Sequence, residues 1–303
     1  MSVAQKLSKY IIVAAWRLKV DHLIPDKTFL SLYYRWQFDR KMHWRNPRTF
    51  NEKLQWLKVY NRKAEYSTLV DKYSVKQYIA DKLGERFVVP VLGVWDRPED
   101  IEWDKLPERF VVKCSHDCGG SVICRNKAEL NIEEATKKLK QAFSQDYYIA
   151  NGREWPYKNV VKRIFAEQFL VDKDGHLNDY KFFCFGGEPK YCSVISGREV
   201  KKVCIDFFDK DWNHQPFHQP GFYPFAETEI KKPECYDQMW EYARILAADK
   251  PFVRIDFYEV DGKVYFGEVT FFPTSGFGPF APEEWDMTFG SWINLPPKRK
   301  EKK

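Results

Sequence analysis

Apolar residues recur at helical spacing in the first third of the chain and again in later segments. Thr49 and Glu52 stand three residues apart, as in a capping box, immediately before an apolar stripe that begins at Leu54, and this predicts the start of a helix. Spacings of three or four residues predict further helices. Their expected spans are a largely helical region at 1–65, then 71–83, 132–143 behind a candidate cap at Asn131, and 235–248.

Shorter apolar runs, separated by turn residues, predict β-strands between these helices. Because the turns are short, we expect neighbouring strands to pair in antiparallel fashion. The predicted strands span 87–91, 110–114, 122–124, 160–171, 179–185, 190–195 and 203–208. Antiparallel sheets are therefore expected after a helical N-terminal region.

Two more strand-like runs near the end of the chain each carry a carboxylate where a buried sheet favours Val or Ile. Gly262 fits the left-handed third position of a three-residue hairpin loop between them. An odd loop length places Asp256 and Glu268 on one face of the hairpin. Arg254 and Thr270 fall on the same face. A two-residue loop would send the two carboxylates to opposite faces, so the predicted site depends on this register.

Two carboxylates that lie close together with little water raise each other's pKa unless a cation lies between them. Carboxylate oxygens suit a hard divalent cation, so Asp256 and Glu268 are candidate ligands of Mg²⁺ or Mn²⁺. The alternative is an Asp and a Glu that face outward from a half-exposed strand, with Arg254 as an ordinary ion-pair partner.

A second candidate site begins where Lys113 ends a strand and a loop of small residues, 115–121, follows. Lys113 can reach over a polyphosphate, and the backbone at Gly119 and Gly120 can approach it closely because glycine has no side chain. The loop lacks the GxxxxGK[ST] spacing of a P-loop. A surface hairpin that binds nothing is the alternative.

Composition indicates a large folded protein. The chain has 303 residues, of which 44% are hydrophobic and 17% aromatic, as is typical of a globular protein. Its net charge of +6 includes five positive charges and one negative charge at 298–303, so the remainder carries +2. Because basic residues elsewhere are interleaved with acidic ones, nucleic-acid binding is not expected. The tail is expected to be solvated and disordered, with contact to anionic lipid as the alternative.

The cysteines and the apolar runs bear on the cellular location. Seven cysteines, no CxxC pair and no signal-peptide pattern predict reduced thiols in a cytoplasmic protein. No apolar run approaches the ~20 residues that a membrane span needs. The stretch 10–16, flanked by basic residues, would either form a helix at the inner surface of a membrane or pack on its own domain.

Several short runs, taken in order, carry a family resemblance. They are Asn51-Glu52-Lys53-Leu54, Asp71-Lys72-Tyr73, Val112-Lys113-Cys114-Ser115-His116, Arg254-Ile255-Asp256 and Gly267-Glu268-Val269-Thr270. This order resembles the ATP-grasp superfamily and, in its fuller form, the TupA-like ATP-grasp family. The resemblance implies an α+β protein with the ATP-grasp fold, in which two antiparallel-sheet-plus-helix lobes clasp a nucleotide. The implied organisation is a helical region at 1–65, a small lobe at 66–160, a large lobe with the metal site at 161–290, and a basic disordered tail at 291–303.

The resemblance also implies roles for individual residues. The ATP phosphates would be contacted by Lys72 and Lys113, and a flap over them would be formed by Ser115, His116, Gly119, Gly120 and Ser121. The adenine and ribose would be met by Glu167, Gln168, Phe169 and Leu170, and the nucleotide would also be faced by Asp179 and Lys181. One or two Mg²⁺ or Mn²⁺ ions would be held by Asp256, Glu268 and Thr270. Arg254, Lys113 and Lys181 are the implied catalytic residues. Most ATP-grasp enzymes have Asn where this chain has Thr270, so a single-metal site stays open.

The function implied by the resemblance is an ATP- and Mg²⁺-dependent carboxylate–amine ligase that works through an acyl phosphate. The family's setting implies bacterial cell-surface polysaccharide biosynthesis, with a small molecule or a glycan precursor as substrate. A glycosyltransferase of polysaccharide assembly and a nucleotide-binding scaffold without catalysis are the alternatives. The sequence does not name the acceptor or the oligomeric state.

Overall fold

The N-terminal part of the chain is helical, as predicted. The computed structural model describes residues 1–173, 175, 177–197, 202–219, 221 and 223–298. The first α-helices are α1 (Val3–Arg17), α2 (Asp26–Phe38), α3 (Phe50–Tyr60), α4 (Glu65–Val70) and α5 (Val75–Leu83). The capping box of α3 is confirmed, because the Thr49 hydroxyl accepts the backbone N–H of Glu52 and the Glu52 carboxylate accepts the N–H of Thr49.

A four-stranded antiparallel sheet forms the first lobe. Its strands are β1 (Val91–Trp95), β2 (Phe110–Cys114), β3 (Val122–Cys124) and β4 (Ile164–Gln168), in the order β1-β4-β2-β3. The helices α6 (Ile132–Ser144) and α7 (Tyr147–Ala150) follow β3. Residues Leu139 and Ala142 of α6 pack into the core of this lobe with Phe110 and Val112. Because β4 belongs to this sheet, the first lobe extends past residue 160; the predicted division into domains otherwise stays a prediction.

A five-stranded antiparallel sheet forms the second lobe. Its strands are β5 (Asp179–Phe185), β6 (Glu188–Ser196), β7 (Cys204–Phe208), β8 (Phe252–Val260) and β9 (Lys263–Thr270), in the order β7-β6-β5-β8-β9. The helices α8 (Tyr236–Ala247) and α9 (Glu284–Trp292) complete this lobe. Two antiparallel sheets with packed helices confirm the α+β class.

Aromatic side chains fix the N-terminal helices to the second lobe. The ring of Phe50 in α3 lies 4.8 Å from that of Phe252 in β8 and 6.0 Å from that of Phe289 in α9. At Gly290, an added Cβ would lie 2.1 Å from the carbonyl oxygen of Arg48, so only glycine permits this approach between α9 and the start of α3. In the described part of the chain, no helix combines the length and apolarity needed to cross a bilayer.

Several predicted boundaries are wrong for local reasons. The helix predicted at 71–83 begins at Val75, after a turn in which the Asp71 carboxylate accepts the N–H groups of Tyr73 and Ser74 at 2.9 and 3.1 Å. The strand predicted at 87–91 begins at Val91, after Pro90, which has no N–H to donate. The strand predicted at 160–171 spans only Ile164–Gln168. Of the predicted tail, residues 299–303 lie outside the described residues.

Candidate active site

The carboxylate hairpin pairs as predicted, but for a different reason. Val260 pairs with Lys263, so the loop has only two residues, Asp261 and Gly262, with φ of 49° and 72°. This is the geometry of a type I′ turn, and the predicted three-residue loop is wrong. The register then shifts between Asp256 and Phe257, leaving Gly267 as an extra residue in β9. The β-bulge at Gly267 restores the parity that the short turn removes.

The cation between the two carboxylates is the guanidinium of Arg254. Its Nε donates to Asp256 Oδ1 at 2.7 Å, and its Nη2 donates to Asp256 Oδ2 at 2.7 Å and to Glu268 Oε1 at 2.6 Å. The Thr270 hydroxyl donates to the same Glu268 oxygen at 3.0 Å. The Lys181 ammonium bonds Asp256 Oδ2 and also contacts Asp179 Oδ2 at 2.7 Å. Four of the predicted site residues therefore converge on Arg254 and Lys181.

Burial sets the titration of this cluster. Asp256 is 1% exposed, so this carboxylate faces inward as predicted, whereas the side chain of Glu268 is 31% exposed. Burial raises the pKa of Asp256 to about 6. Burial also opposes ionisation of Glu268, but Arg254 and Lys181 outweigh it and hold the pKa of Glu268 below its usual value. Because the two carboxyls share Arg254, these shifts belong to the pair.

The oxygen atoms of Asp256, Glu268 and Thr270 suit a hard divalent cation that also binds water and phosphate. Glu268 is the accessible carboxylate, since its side chain is 31% exposed while that of Asp256 is held by two cations. Within the described ranges, no three His, Cys, Asp or Glu side chains are grouped to hold an ion. Two carboxylates and the Thr270 hydroxyl are oxygen donors, which suit Mg²⁺ bound jointly by protein, water and phosphate. Asp256, Glu268 and Thr270 as metal ligands stay a prediction.

A cleft of about 360 Å³ lies between the two sheets. Val111 and Ile123 of the first sheet and Leu170 of the connecting segment provide apolar surface in it. Its further lining includes Lys113, Ser121, Arg125, Glu167, Gln168, Phe169, Val171, Leu177 and Tyr258. The predicted adenine-contacting segment, 167–170, therefore does line a cleft of suitable size for part of a nucleotide.

Glu167 is the partner of two lysines at the edge of this first cleft. It bonds the Lys113 ammonium and contacts the Lys76 ammonium at 3.0 Å. Burial opposes ionisation of Glu167, but Lys113 and Lys76 outweigh it and lower its pKa. The lysines thus keep Glu167 charged, and Lys113 lines the first cleft, while its contact with phosphate stays a prediction.

The predicted flap, 115–121, contacts Lys72 and reaches the first cleft at Ser121, although Ser115 and His116 do not line that cleft. The Lys72 ammonium donates to the carbonyl of Asp117, and the Asp117 carboxylate accepts the N–H of Gly120 at 3.1 Å. Gly119 has φ of +94° with open space beside it, so this tip requires glycine. Ser115 and His116, by contrast, are 0% and 2% exposed beneath the loop and are not part of the lining of the first cleft.

A second cleft, of about 450 Å³, opens on the other side of Arg254. Arg254, Glu268 and Thr270 form one wall, and Cys118 of the flap reaches it. The rest is rich in aromatic rings and includes Trp16, Tyr33, Tyr147, Asn151, Glu154, Tyr157, Phe272, Thr274, Ser275 and Phe277. This cleft places the N-terminal helices next to the carboxylate cluster.

Glu154 and Lys58 are two buried ionisable residues beside the second cleft. Lys58 is 1% exposed and donates to the carbonyls of Gly152 at 2.6 Å and Ser275 at 2.7 Å. Burial lowers its pKa to about 7 and raises the pKa of Glu154 to about 7. Glu154 accepts a hydrogen bond from Asn151 at 2.8 Å. Sequence reasoning missed both residues, because no local motif surrounds Glu154 and Lys58 reads as an ordinary surface lysine.

Comparison with solved structures gives matches to ATP-grasp ligases at low identity. D-cycloserine synthetase DcsG shares 17% identity, with 74% of this chain and 69% of that chain covered and a TM-score of 0.38. D-alanine-D-alanine ligase from Helicobacter pylori shares 12% identity, covering 81% and 69%, with a TM-score of 0.39. A RimK domain ATP-grasp protein from Sphaerobacter thermophilus DSM 20745 shares 11% identity, covering 77% and 70%, with a TM-score of 0.40.

The family comparison is decisive because of its extent. The profile described as TupA-like ATPgrasp matches residues 52–294, which takes in both sheets, the first cleft and the carboxylate hairpin. Comparison with curated proteins gives no match. The chain therefore belongs to the TupA-like ATP-grasp family, as the order of its motifs predicted.

Proposed function

We propose that the first cleft binds ATP, that the second cleft binds the acceptor, and that the protein joins a carboxylate to an amine. One face of β8 carries the proposal. Tyr258 lines the first cleft and Arg254 lines the second, with Asp256 between them on the same face. A nucleotide with its base in the first cleft would direct its terminal phosphate toward Asp256 and Arg254, next to an acceptor in the second.

The charges around the clefts support phosphate binding. Lys113 at the mouth of the first cleft and Lys72 beneath the flap would contact the phosphate oxygens, and the N–H groups beside Gly119 would close over them. The apolar surfaces of Val111 and Ile123 would face the base. In this proposal, the side chain of Glu167 positions Lys113 rather than contacting the ribose.

Glu268, Asp256 and Thr270 would hold Mg²⁺, whose charge would neutralise phosphate oxygens during transfer. Arg254 and Lys181 keep the carboxylates ionised, because each forms an ion pair within the cluster. Arg254 also reaches the second cleft, where it would stabilise the charge that develops on the transferred phosphoryl group.

The proposed chemistry has two steps. An oxygen of the donor carboxylate attacks the γ-phosphorus, and the bond to the β–γ bridging oxygen breaks, giving an acyl phosphate and ADP. The amine nitrogen then attacks the acyl carbon, and the carbon–oxygen bond to phosphate breaks, giving an amide and hydrogen phosphate. The acceptor arrives as an ammonium, and Glu154 accepts its first proton; the second leaves with the phosphate. Glu154 suits this role because it lines the second cleft and has its pKa raised to about 7.

The finer setting, bacterial cell-surface polysaccharide biosynthesis, is also part of the proposal. The aromatic walls of the second cleft, which include Trp16, Tyr33 and Tyr147, suit a ring-bearing acceptor such as a glycan precursor with an amine. Sugar transfer has less support. The run Asp209-Lys210-Asp211 has the spacing of a sugar-nucleotide metal site, but the Asp209 carboxylate accepts the N–H groups of Asp211 and Asn213 at 3.0 and 2.9 Å.

The test is product analysis with ATP, Mg²⁺ and panels of amino acids, uronic acids and amino sugars. The proposal predicts ADP and phosphate in equal amounts, together with an amide that contains both substrates. Release of UDP or GDP from a sugar nucleotide would instead support glycosyl transfer. ATP binding without turnover on any pair of substrates would support a scaffold.

A further inference from the structure

Helix α1 has two apolar faces, and the protein covers only one of them. Ser8, Ile12 and Ala15 are buried, and Ile12 packs in a cluster with Phe29 and Leu30 of α2. These three positions recur at spacings of four and three residues, so they form one side of the helix. This face fixes α1 to its own domain, which is one of the two outcomes expected from the sequence.

Another side of α1, together with its C-cap Leu18, carries a second apolar stripe, which is exposed. Val3 is 84% exposed, Leu7 58%, Tyr10 73%, Ile11 36% and Leu18 71%. Their spacings of four, three, one and seven residues place them together on one side of a helix. We refer to these five residues as the α1 stripe. An isolated exposed apolar side chain needs no explanation, but a continuous row of them marks a contact surface.

The charged side chains of the segment that carries the α1 stripe are all basic, and the Asp39 carboxylate bonds Ser2 at its start. Lys6, Lys9, Arg17 and Lys19 are exposed, and residues 1–20 contain neither Asp nor Glu. By contrast, the chain as a whole has 43 acidic residues against 49 Lys and Arg. Acidic residues are therefore missing from the segment that exposes the most apolar surface.

We infer that α1 lies in the surface of an anionic lipid bilayer, with the α1 stripe among the acyl chains and the basic residues at the headgroups. An exposed apolar face bordered by Lys and Arg is the pattern of an interfacial helix, and Tyr10 has the amphipathic ring found at such interfaces. A second copy of the chain fits less well, because a two-fold contact through α1 would bring Lys6, Lys9 and Arg17 against the same basic row. This surface is separate from the chemistry proposed for the clefts.

Co-sedimentation of the full chain with vesicles tests the inference. Vesicles of phosphatidylcholine with phosphatidylglycerol are compared with vesicles of phosphatidylcholine alone. Binding is expected to the anionic vesicles and to be at least about tenfold weaker on the neutral ones. Leu7→Glu with Tyr10→Glu should abolish binding, and Lys6→Gln with Lys9→Gln should weaken it by about tenfold or more.

Matched variants at exposed apolar positions elsewhere provide the control. Ile132 is 44% exposed and Ile245 is 42% exposed, and Ile132→Glu with Ile245→Glu should leave vesicle binding unchanged. Circular dichroism of each variant checks the fold, since the substituted side chains face solvent. Absence of binding to anionic vesicles would overturn the inference, as would equal binding by the Leu7→Glu, Tyr10→Glu variant. Self-association that this variant abolishes, without any lipid binding, would overturn it in favour of a second copy.

Discussion

Asp256 lies directly opposite Glu268 across β8 and β9, although the turn that joins these strands has the wrong length for that pairing. The extra residue at Gly267 corrects the register, and an added Cβ there would lie 3.0 Å from the carbonyl oxygen of Asp256. The bulge therefore favours glycine. Its consequence is a pair of carboxylates that share the guanidinium of Arg254.

Arg254→Met should lower the free energy of unfolding by about 3 kcal/mol, because it leaves Asp256 buried without its two-pronged partner. Urea denaturation monitored by fluorescence provides the measurement. Arg244→Met is the matched control: its ion pair with Glu241 is about half exposed on both sides, so the change should stay within about 0.5 kcal/mol. Equal losses in the two variants would contradict the structural role of Arg254.

Lys113→Met should weaken ATP binding by about ten- to a hundredfold, the effect of losing a hydrogen bond to a charged group. Lys76→Met is the control, because Lys76 shares the partner Glu167 but is not part of the lining of the first cleft. Its effect on ATP affinity should be several-fold smaller. Calorimetric titration of both variants measures the difference. If the two variants lose affinity equally, Lys113 acts through Glu167 rather than on the phosphates.

Lys58→Met should change the pH dependence of stability. Burial lowers the pKa of Lys58 to about 7, so above that pH the folded chain has released this proton while the unfolded chain still holds it. The free energy of unfolding therefore rises with pH until the pKa of Lys58 in the unfolded chain is reached. Between pH 7 and pH 9 the wild type should gain about 2 kcal/mol that the variant lacks. Urea denaturation at both pH values gives the comparison, and parallel pH profiles would show that Lys58 is charged in the folded protein.

Glu154→Gln should remove the proton acceptor proposed for the amine. In the wild type the rate of amide formation should rise with pH and level off above about pH 7, where Glu154 is ionised. In the variant, this rise of the rate with pH should disappear and the rate should fall about 10²- to 10⁴-fold. Its affinity for ATP should stay unchanged. Asn151→Ala removes the amide that donates to Glu154 but keeps the carboxylate, so its rate should still rise with pH as in the wild type. A wild-type profile in Glu154→Gln would exclude the role.

Local chemistry made part of this structure predictable. The capping box at Thr49 and Glu52 and the strand before Lys113 follow from short-range patterns, and both appear as expected. The hairpin loop was mispredicted although its signals were local: Asp261-Gly262 is a strong type I′ sequence, and a glycine within a strand, here Gly267, suggests a bulge.

Other features depend on residues far apart in the chain. The sequence predicted a cation between Asp256 and Glu268, and the guanidinium of Arg254 lies there, while metal binding by these carboxylates stays a prediction. Glu154 owes its raised pKa to burial, which outweighs the opposing effects of Lys58 and Ser275, and these two residues lie more than ninety residues away on either side. No periodicity or spacing reports such an environment, because it arises only from tertiary packing.

In the proposed mechanism, Glu268 helps to bind a divalent cation together with a nucleotide. ADP binding to the wild type and to Glu268→Gln should be measured by calorimetry with and without Mg²⁺. Glu241→Gln on the exposed face of α8 controls for the loss of one negative charge. We expect Mg²⁺ to tighten ADP binding about tenfold or more in the wild type and in Glu241→Gln but not in Glu268→Gln. An undiminished Mg²⁺ effect in Glu268→Gln would contradict this role of Glu268.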